Sequence, residues 1–159
     1  MNATIRPAIA SDSKAIITLI KELALFEKEP ESVALTEANI KEYGFGKKPL
    51  FECLIAELEN QVIGMALFYS RFSTWKGPTI HLEDLIITED YKGRGYGTQL
   101  YSAFINHSYV KGVQRIEWNV LDWNTPAVKF YEKSGAKVLQ EWCTVQMDVE
   151  AMKSYLAKH

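Results

Sequence analysis

Between Asp90 and Leu100 the chain reads Asp-Tyr-Lys-Gly-Arg-Gly-Tyr-Gly-Thr-Gln-Leu, a glycine-rich, cation-bearing loop set after an apolar strand and before an amphipathic helix. Gly93, Gly95 and Gly97 let the backbone approach an anion closely. The free N–H groups of the helix start, Tyr96 among them, point at that anion with a favourable dipole. Lys92 and Arg94 add cationic reach. The arrangement suits a pyrophosphate, but the loop has neither the Gly-Lys-Ser/Thr ending of a nucleoside triphosphatase nor the G-x-G-x-x-G of a dinucleotide fold. A nucleotide of another kind is expected. Just upstream, Glu83 and Asp84 stand side by side in an apolar strand, where adjacent carboxylates are costly to bury and repel each other. Strand alternation predicts that they point to opposite faces, at least one of them into the cleft where sheet and nucleotide meet. The alternative is a strand end at which both reach water or cap a helix.

These groups need a scaffold, and 159 residues with a net charge of −2 suit a single domain over residues 1–159, large enough to fold without staples. The basic residues are scattered, which removes the electrostatic reason for a nucleic-acid partner. The longest apolar run, Val62 to Tyr69, is too short to cross a bilayer, and the start of the chain has no leader pattern, so no membrane partner and a cytoplasmic location are expected. Cys53 and Cys143 lack metal-type spacing and read as reduced, packed thiols.

Thr4 to Pro7 reads as a strand, and Ser11-Asp12 as the cap of a helix that buries Ile16, Leu19, Ile20 and Leu23 and ends near Phe26. Thr36 opens a second helix closed by Gly44 or Gly46. Phe51 to Glu59 and Val62 to Arg71 form an antiparallel hairpin whose second strand, apolar on both faces, is central. A loop over Phe72 to Pro78, a strand over Ile80 to Ile87 and a helix from Gly97 to Lys111 stopped by Gly112 follow. Arg115 to Leu121 reads as strand, Thr125-Pro126 as the cap and first residue of a short helix ending at Ser134-Gly135, and Ala136 to Asp148 as one or two final strands before a last helix. The fold class is α/β: a mixed, largely antiparallel central sheet with helices on both faces.

Three ordered blocks carry a family resemblance. His81-Leu82-Glu83-Asp84-Leu85-Ile86-Ile87, Tyr91-Lys92-Gly93-Arg94-Gly95-Tyr96-Gly97 and Asn124-Thr125-Pro126-Ala127-Val128-Lys129-Phe130-Tyr131 with Gly135-Ala136 resemble the GNAT (GCN5-related N-acetyltransferase) family. The likeness spans essentially the whole chain and is greatest to the diamine group of spermidine/spermine and thialysine N-acetyltransferases. It implies an acetyl-coenzyme A cofactor with its pyrophosphate on Lys92 to Gly97, its pantetheine arm along Leu85, Ile86 and Ile87, and a hydrogen bond from Asn124. The family loop usually opens with Arg or Gln, so Lys92 replaces a bidentate contact by a point charge.

An alkylamine, with a pKa of about 10.4, is almost wholly protonated at neutral pH, so transfer to it needs a base, and the departing thiolate needs an acid. The resemblance assigns Glu83 as the base, acting through ordered water with its pKa raised by burial, Tyr131 as the acid, and Asp84 as holder of the substrate's cationic end. It also implies backbone N–H groups near Ile86, freed by a splayed strand, that polarise the thioester carbonyl. Trp75 offers a face to an ammonium, and Phe26 with Glu27 completes an acidic-aromatic receptacle for a small cationic amine. On composition alone Trp75 pins its loop and Glu27 belongs to a solvated acidic run. His81 receives no role. The activity expected is direct acetyl transfer to a diamine, polyamine or lysine-like amine by a homodimer. A non-catalytic acetyl-coenzyme A sensor and an enzyme acting on peptide or protein amines are the alternatives.

Overall fold

The computed structural model describes residues 3–158. It comprises two compact units, one ending at Asn119 and one beginning at Val120. The first unit is built on a five-stranded sheet of β1 (Thr4–Pro7), β2 (Glu52–Leu58), β3 (Gln61–Ser73), β4 (Gly77–Ile87) and β5 (Ile116–Glu117), in spatial order β1-β2-β3-β4-β5. Every pairing is antiparallel except β4 with β5, which is parallel. β3 is central, as its two apolar faces require.

Helices α1 (Ser13–Phe26) and α2 (Glu37–Phe45) cover one sheet face, where Ile16, Leu19 and Ile40 pack with Cys53, Ile55, Met65, Leu67 and Ile86. Helix α3 (Tyr96–Val110) covers the other, its buried Leu100 and Phe104 meeting the sheet with Phe68 and Phe104 rings 5.1 Å apart. Thr36 caps α2 by accepting from Asn39 N, and α2 runs through Gly44 to stop at Gly46. Asp12 precedes α1 but does not cap it. Its carboxylate takes the Arg6 guanidinium at 2.7 and 3.0 Å, while Arg6 also donates to Glu57 at 2.6 Å, tying the first strand and helix to β2. That partner holds the Asp12 carboxyl below the usual carboxylate range.

Two hairpins set the register. Glu59 and Asn60 have φ of 51° and 65°, the two left-handed residues that a tight turn of matching twist requires. The span expected as a loop before β4 is a second hairpin: Phe72 pairs with Pro78 and Ser73 with Gly77, leaving Thr74-Trp75-Lys76 as the turn. The Ser73 hydroxyl accepts from the N–H of Trp75 and of Lys76, which closes the turn without further residues.

Strand reading fails at the other end. Only Ile116 and Glu117 of the expected Arg115 to Leu121 strand pair with β4, because the two strands part beyond His81. In the second unit α4 (Thr125–Lys133) and α5 (Val149–Leu156) form, but no residue from Ala136 to Asp148 is in a strand. Alternating apolar residues such as Val145 and Met147 mark strand propensity, and propensity makes a strand only where a neighbouring backbone supplies hydrogen bonds. Helix α4 begins one residue earlier than the Thr-Pro signal suggests, with Asn124 as its cap.

Gly64 in β3 is where sheet packing is tightest. A Cβ there would stand 2.5 Å from the Ile86 carbonyl oxygen and 2.4 Å from Ile87 Cδ1. Gly64→Ala is therefore expected to cost about 1–3 kcal/mol, the usual penalty of overpacking, read as a lower urea midpoint at unchanged slope.

Candidate active site

β4 pairs with β3 along its length but with β5 only at Ile80 and His81. From Leu82 to Ile87 its outer edge has no partner strand among the described residues. The N–H of Thr88 donates to the Ile63 carbonyl of β3, so alternation turns the Ile86 N–H toward β3 and those of Leu85 and Ile87 outward. The backbone donors expected near Ile86 are thus those of its two neighbours, and Leu85 and Ile87 offer the free edge along which an extended amide-bearing arm can pair.

The edge leads directly into the glycine loop. Gly93 and Gly95 have φ of 73° and 84°, and a Cβ on either would meet nothing within 4 Å, so the loop is an open, left-handed cradle rather than a packed turn. Gly95 caps α3, whose first intrahelical bond runs from Gln99 N to Gly95 O. The N–H groups of Tyr96, Gly97 and Thr98 precede that bond and face the cradle. Glu22 anchors the approach by accepting from Thr88 Oγ1 at 2.7 Å and from Glu89 N at 2.9 Å. Lys92 donates to Glu89 at 2.6 Å with its ammonium 4.8 Å from the centre of the Phe26 ring, and the Arg94 guanidinium lies 5.5 Å from that of Tyr91. Open cradle, helix N–H groups and free strand edge together fit a pyrophosphate nucleotide with an amide-bearing arm.

The paired carboxylates depart from simple alternation. Leu67 stands opposite Asp84 and Phe68 opposite Leu82, so β4 carries one extra residue, Glu83, against β3. Leu67, Tyr69 and their partners Asp84 and His81 lie on the face of α1, and the bulge turns Glu83 to the same side. The Glu83 carboxylate accepts from the Tyr69 hydroxyl and lies 3.6 Å from His81 Nε2. Both carboxylates therefore share one face, against the expectation of opposite faces. Their burial is also reversed: the Glu83 side chain is 53% exposed, whereas Asp84 is the more enclosed.

Desolvation, then Glu83 and Glu27, push the Asp84 carboxyl up to about 7. Glu27, the C-cap of α1, is itself raised by burial. The charges of Glu83 and of Glu27, at the C-terminal end of α1, thus act on Asp84, an electrostatic setting that favours a cation. Phe26 adjoins this cluster but its ring carries the Lys92 ammonium. Trp75 does not adjoin it: from Gly77 to Asp84 alone β4 spans roughly 20 Å at a strand's rise per residue, and Trp75, 80% exposed, lies beyond that end. Tyr69 and His81 join the cluster through strand register, which no local motif announces.

The second unit holds the other two candidates. Asn124 Oδ1 accepts from Ala127 N at 3.3 Å, so this oxygen caps α4. Tyr131 sits near the end of α4, its ring 5.4 Å from that of Phe130, with its carbonyl accepting from Ser134 Oγ. Of the cysteines, Cys53 is buried, which pushes its thiol up, and Cys143 is exposed rather than packed.

Asp84 has a definite pH signature. Its folded-state pKa is above the unfolded value, so between about pH 4 and 7 only the folded state holds the proton, and this group's contribution to stability falls as pH rises through that window. Asp84→Asn is expected to raise the melting temperature at pH 8 and to raise it distinctly less at pH 5, measured by paired thermal melts.

Residues 16–136 match the model of the acetyltransferase (GNAT) family. The chain is 38% identical over 160 residues to the thialysine N-epsilon-acetyltransferase of Mus musculus, covering 94% of each. It is 34% identical over 139 residues to a spermidine/spermine N(1)-acetyltransferase-like protein of Homo sapiens, covering 83% of this chain and 20% of that one. A Vibrio cholerae integron cassette protein superposes with a TM-score of 0.80 at 21% identity, over 100% of this chain and 99% of that one, which is a likeness of fold. The matched region runs from α1 through the open edge of β4 and the glycine cradle to α4, and the chain belongs to the acetyltransferase (GNAT) family of acetyl-coenzyme A dependent enzymes.

Proposed function

We propose that this N-acetyltransferase acts on a primary amine of a small cationic diamine, polyamine or lysine-like compound, by direct attack in a ternary complex. The observation that carries this reading is the convergence of Glu83, Asp84 and Glu27 beside the free edge of β4, an anionic receptacle adjoining the place for an acyl donor. Similarity to enzymes named for thialysine and for spermidine/spermine points to the same class of amine.

Acetyl-coenzyme A, when bound, supplies the activated acetyl thioester. The residues that would hold it are Gly93 to Gly97 with Lys92 and Arg94 at the pyrophosphate, the outward backbone groups of Leu85 and Ile87 along the arm, and Asn124. Asp84 and Glu27 hold the substrate's cationic end. Glu83, the more exposed carboxylate, removes a proton from the reacting amine through water, which leaves the nitrogen lone pair free to attack. The Tyr131 hydroxyl delivers a proton to the departing sulfur. Cys53, buried with a raised pKa, is unsuited to a covalent relay. Both cysteines being free suits a reducing, cytoplasmic setting.

Release of coenzyme A thiol across spermidine, putrescine, lysine, thialysine and short amine-terminated peptides tests the reading. Turnover is expected on the small cationic amines, and Tyr131→Phe is expected to lower kcat at least tenfold with little change in acetyl-coenzyme A affinity. Cofactor binding without turnover on any amine would make the protein a sensor, and turnover confined to peptides would overturn the substrate class. The exposed apolar side chains of Trp142, Val145, Met147 and Leu156 support a homodimer built on the C-terminal segment. Sedimentation equilibrium at micromolar protein is expected to give twice the chain mass, and a monomer would remove that arrangement.

A further inference from the structure

His81 is 9% exposed and lies in β4 directly opposite Tyr69, with the two ring centroids 5.2 Å apart. Its Nε2 faces the Glu83 carboxylate at 3.6 Å, while its Nδ1 is buried with no hydrogen-bond partner. That asymmetry selects a tautomer. A proton on Nδ1 would be a buried donor with nothing to receive it, whereas a proton on Nε2 points at a carboxylate. The other carboxylate in register with His81, Glu117 of β5, is tied up by ion pairs to Arg71 and, at 2.9 Å, to Arg115. Glu83 therefore faces two polar groups on one side: the Tyr69 hydroxyl and, at 3.6 Å, just beyond direct hydrogen-bond distance, the His81 Nε2.

We propose that His81, supported by Tyr69, is a positioning residue that holds the bulged Glu83 carboxylate at the orientation from which it takes the amine proton. This rests on the assignment of Glu83 as base. A bulge frees the Glu83 side chain from the regular alternation of its strand, and 53% exposure leaves it few packing contacts to restrict its rotamers. The buried His81 and the partly buried Tyr69, whose rings lie against each other at 34°, supply that restriction. The carboxylate's outward lone pairs remain for water and substrate.

The test is a cycle of His81→Phe, His81→Gln and Glu83→Gln in the coenzyme A release assay, with 15N NMR of the ligand-free protein. Phenylalanine keeps the ring on Tyr69 but donates nothing. It is expected to lower kcat about tenfold, a part of the 10²–10⁴ that a positioned base supplies, with the KM for acetyl-coenzyme A unchanged. Glutamine, which can place an amide N–H near Nε2, is expected to restore most of that rate. In the Glu83→Gln background His81→Phe is expected to have no further effect. The imidazole nitrogens of His81 are expected to show the Nε2–H tautomer. Equal rates for the Phe and Gln variants, the same tenfold loss without Glu83, or the Nδ1–H tautomer would each overturn the proposal. A Glu83→Gln enzyme as fast as the parent would instead remove Glu83 as base, and the role of His81 with it.

Discussion

Beyond His81, β4 has a hydrogen-bonding strand on one edge only, and the architecture of the site follows from that. A backbone edge inside a sheet is strongly driven to find partners. Here the parallel strand that should continue the sheet leaves after two residues, so the N–H groups of Leu85 and Ile87 face outward. The strand ends at Ile87, and after the turn Glu89–Tyr91 a loop with left-handed Gly93 and Gly95 leads into the N–H groups of α3. One missing ladder thus creates a continuous row of donors and acceptors from the middle of a sheet to the start of a helix. An extended ligand with amides at one end and a pyrophosphate at the other satisfies that row.

The bulge at Glu83 sets the second condition. In a regular strand, consecutive carboxylates would be divided between the two faces, and one would sit under α3 among Phe68, Leu100 and Phe104. The extra residue brings both to the α1 side, beside Glu27. The raised pKa of Asp84 records its burial first and the neighbouring charges of Glu83 and Glu27 second, while that of Glu27 records burial alone. Under the proposed function, an ammonium bound there would offset that cost. The two carboxylates differ in burial: Asp84 is the more enclosed, and Glu83 is solvated beside Tyr69 and His81.

The remainder of the first unit keeps these parts in place. Arg6 binds β1 to both Asp12 and Glu57, Glu22 fixes the start of the glycine loop, and Gly64 allows β3 to lie close against Ile86 and Ile87. Each of these residues acts on a segment that forms the site.

Much was legible from the order of residues. Periodicity disclosed α1, α2 and α3, the double-faced apolarity of β3 disclosed its central place, and Gly93 to Gly97 disclosed an open turn into a helix start, because each of these depends on local spacing and backbone freedom. What depended on partners was not legible. The segment from Ala136 to Asp148 has strand-like alternation without a strand, the turn around Trp75 was shorter than its composition suggested, and the faces of Glu83 and Asp84 were decided by one inserted residue in the register with β3. His81 shows the difference most directly. Its neighbours in sequence say nothing of its use, and its place opposite Tyr69, beside Glu83 and away from the Arg-bound Glu117, exists only once three strands are aligned. Local chemistry is written along the chain, whereas register, burial and the meeting of distant charges are properties of the assembled sheet.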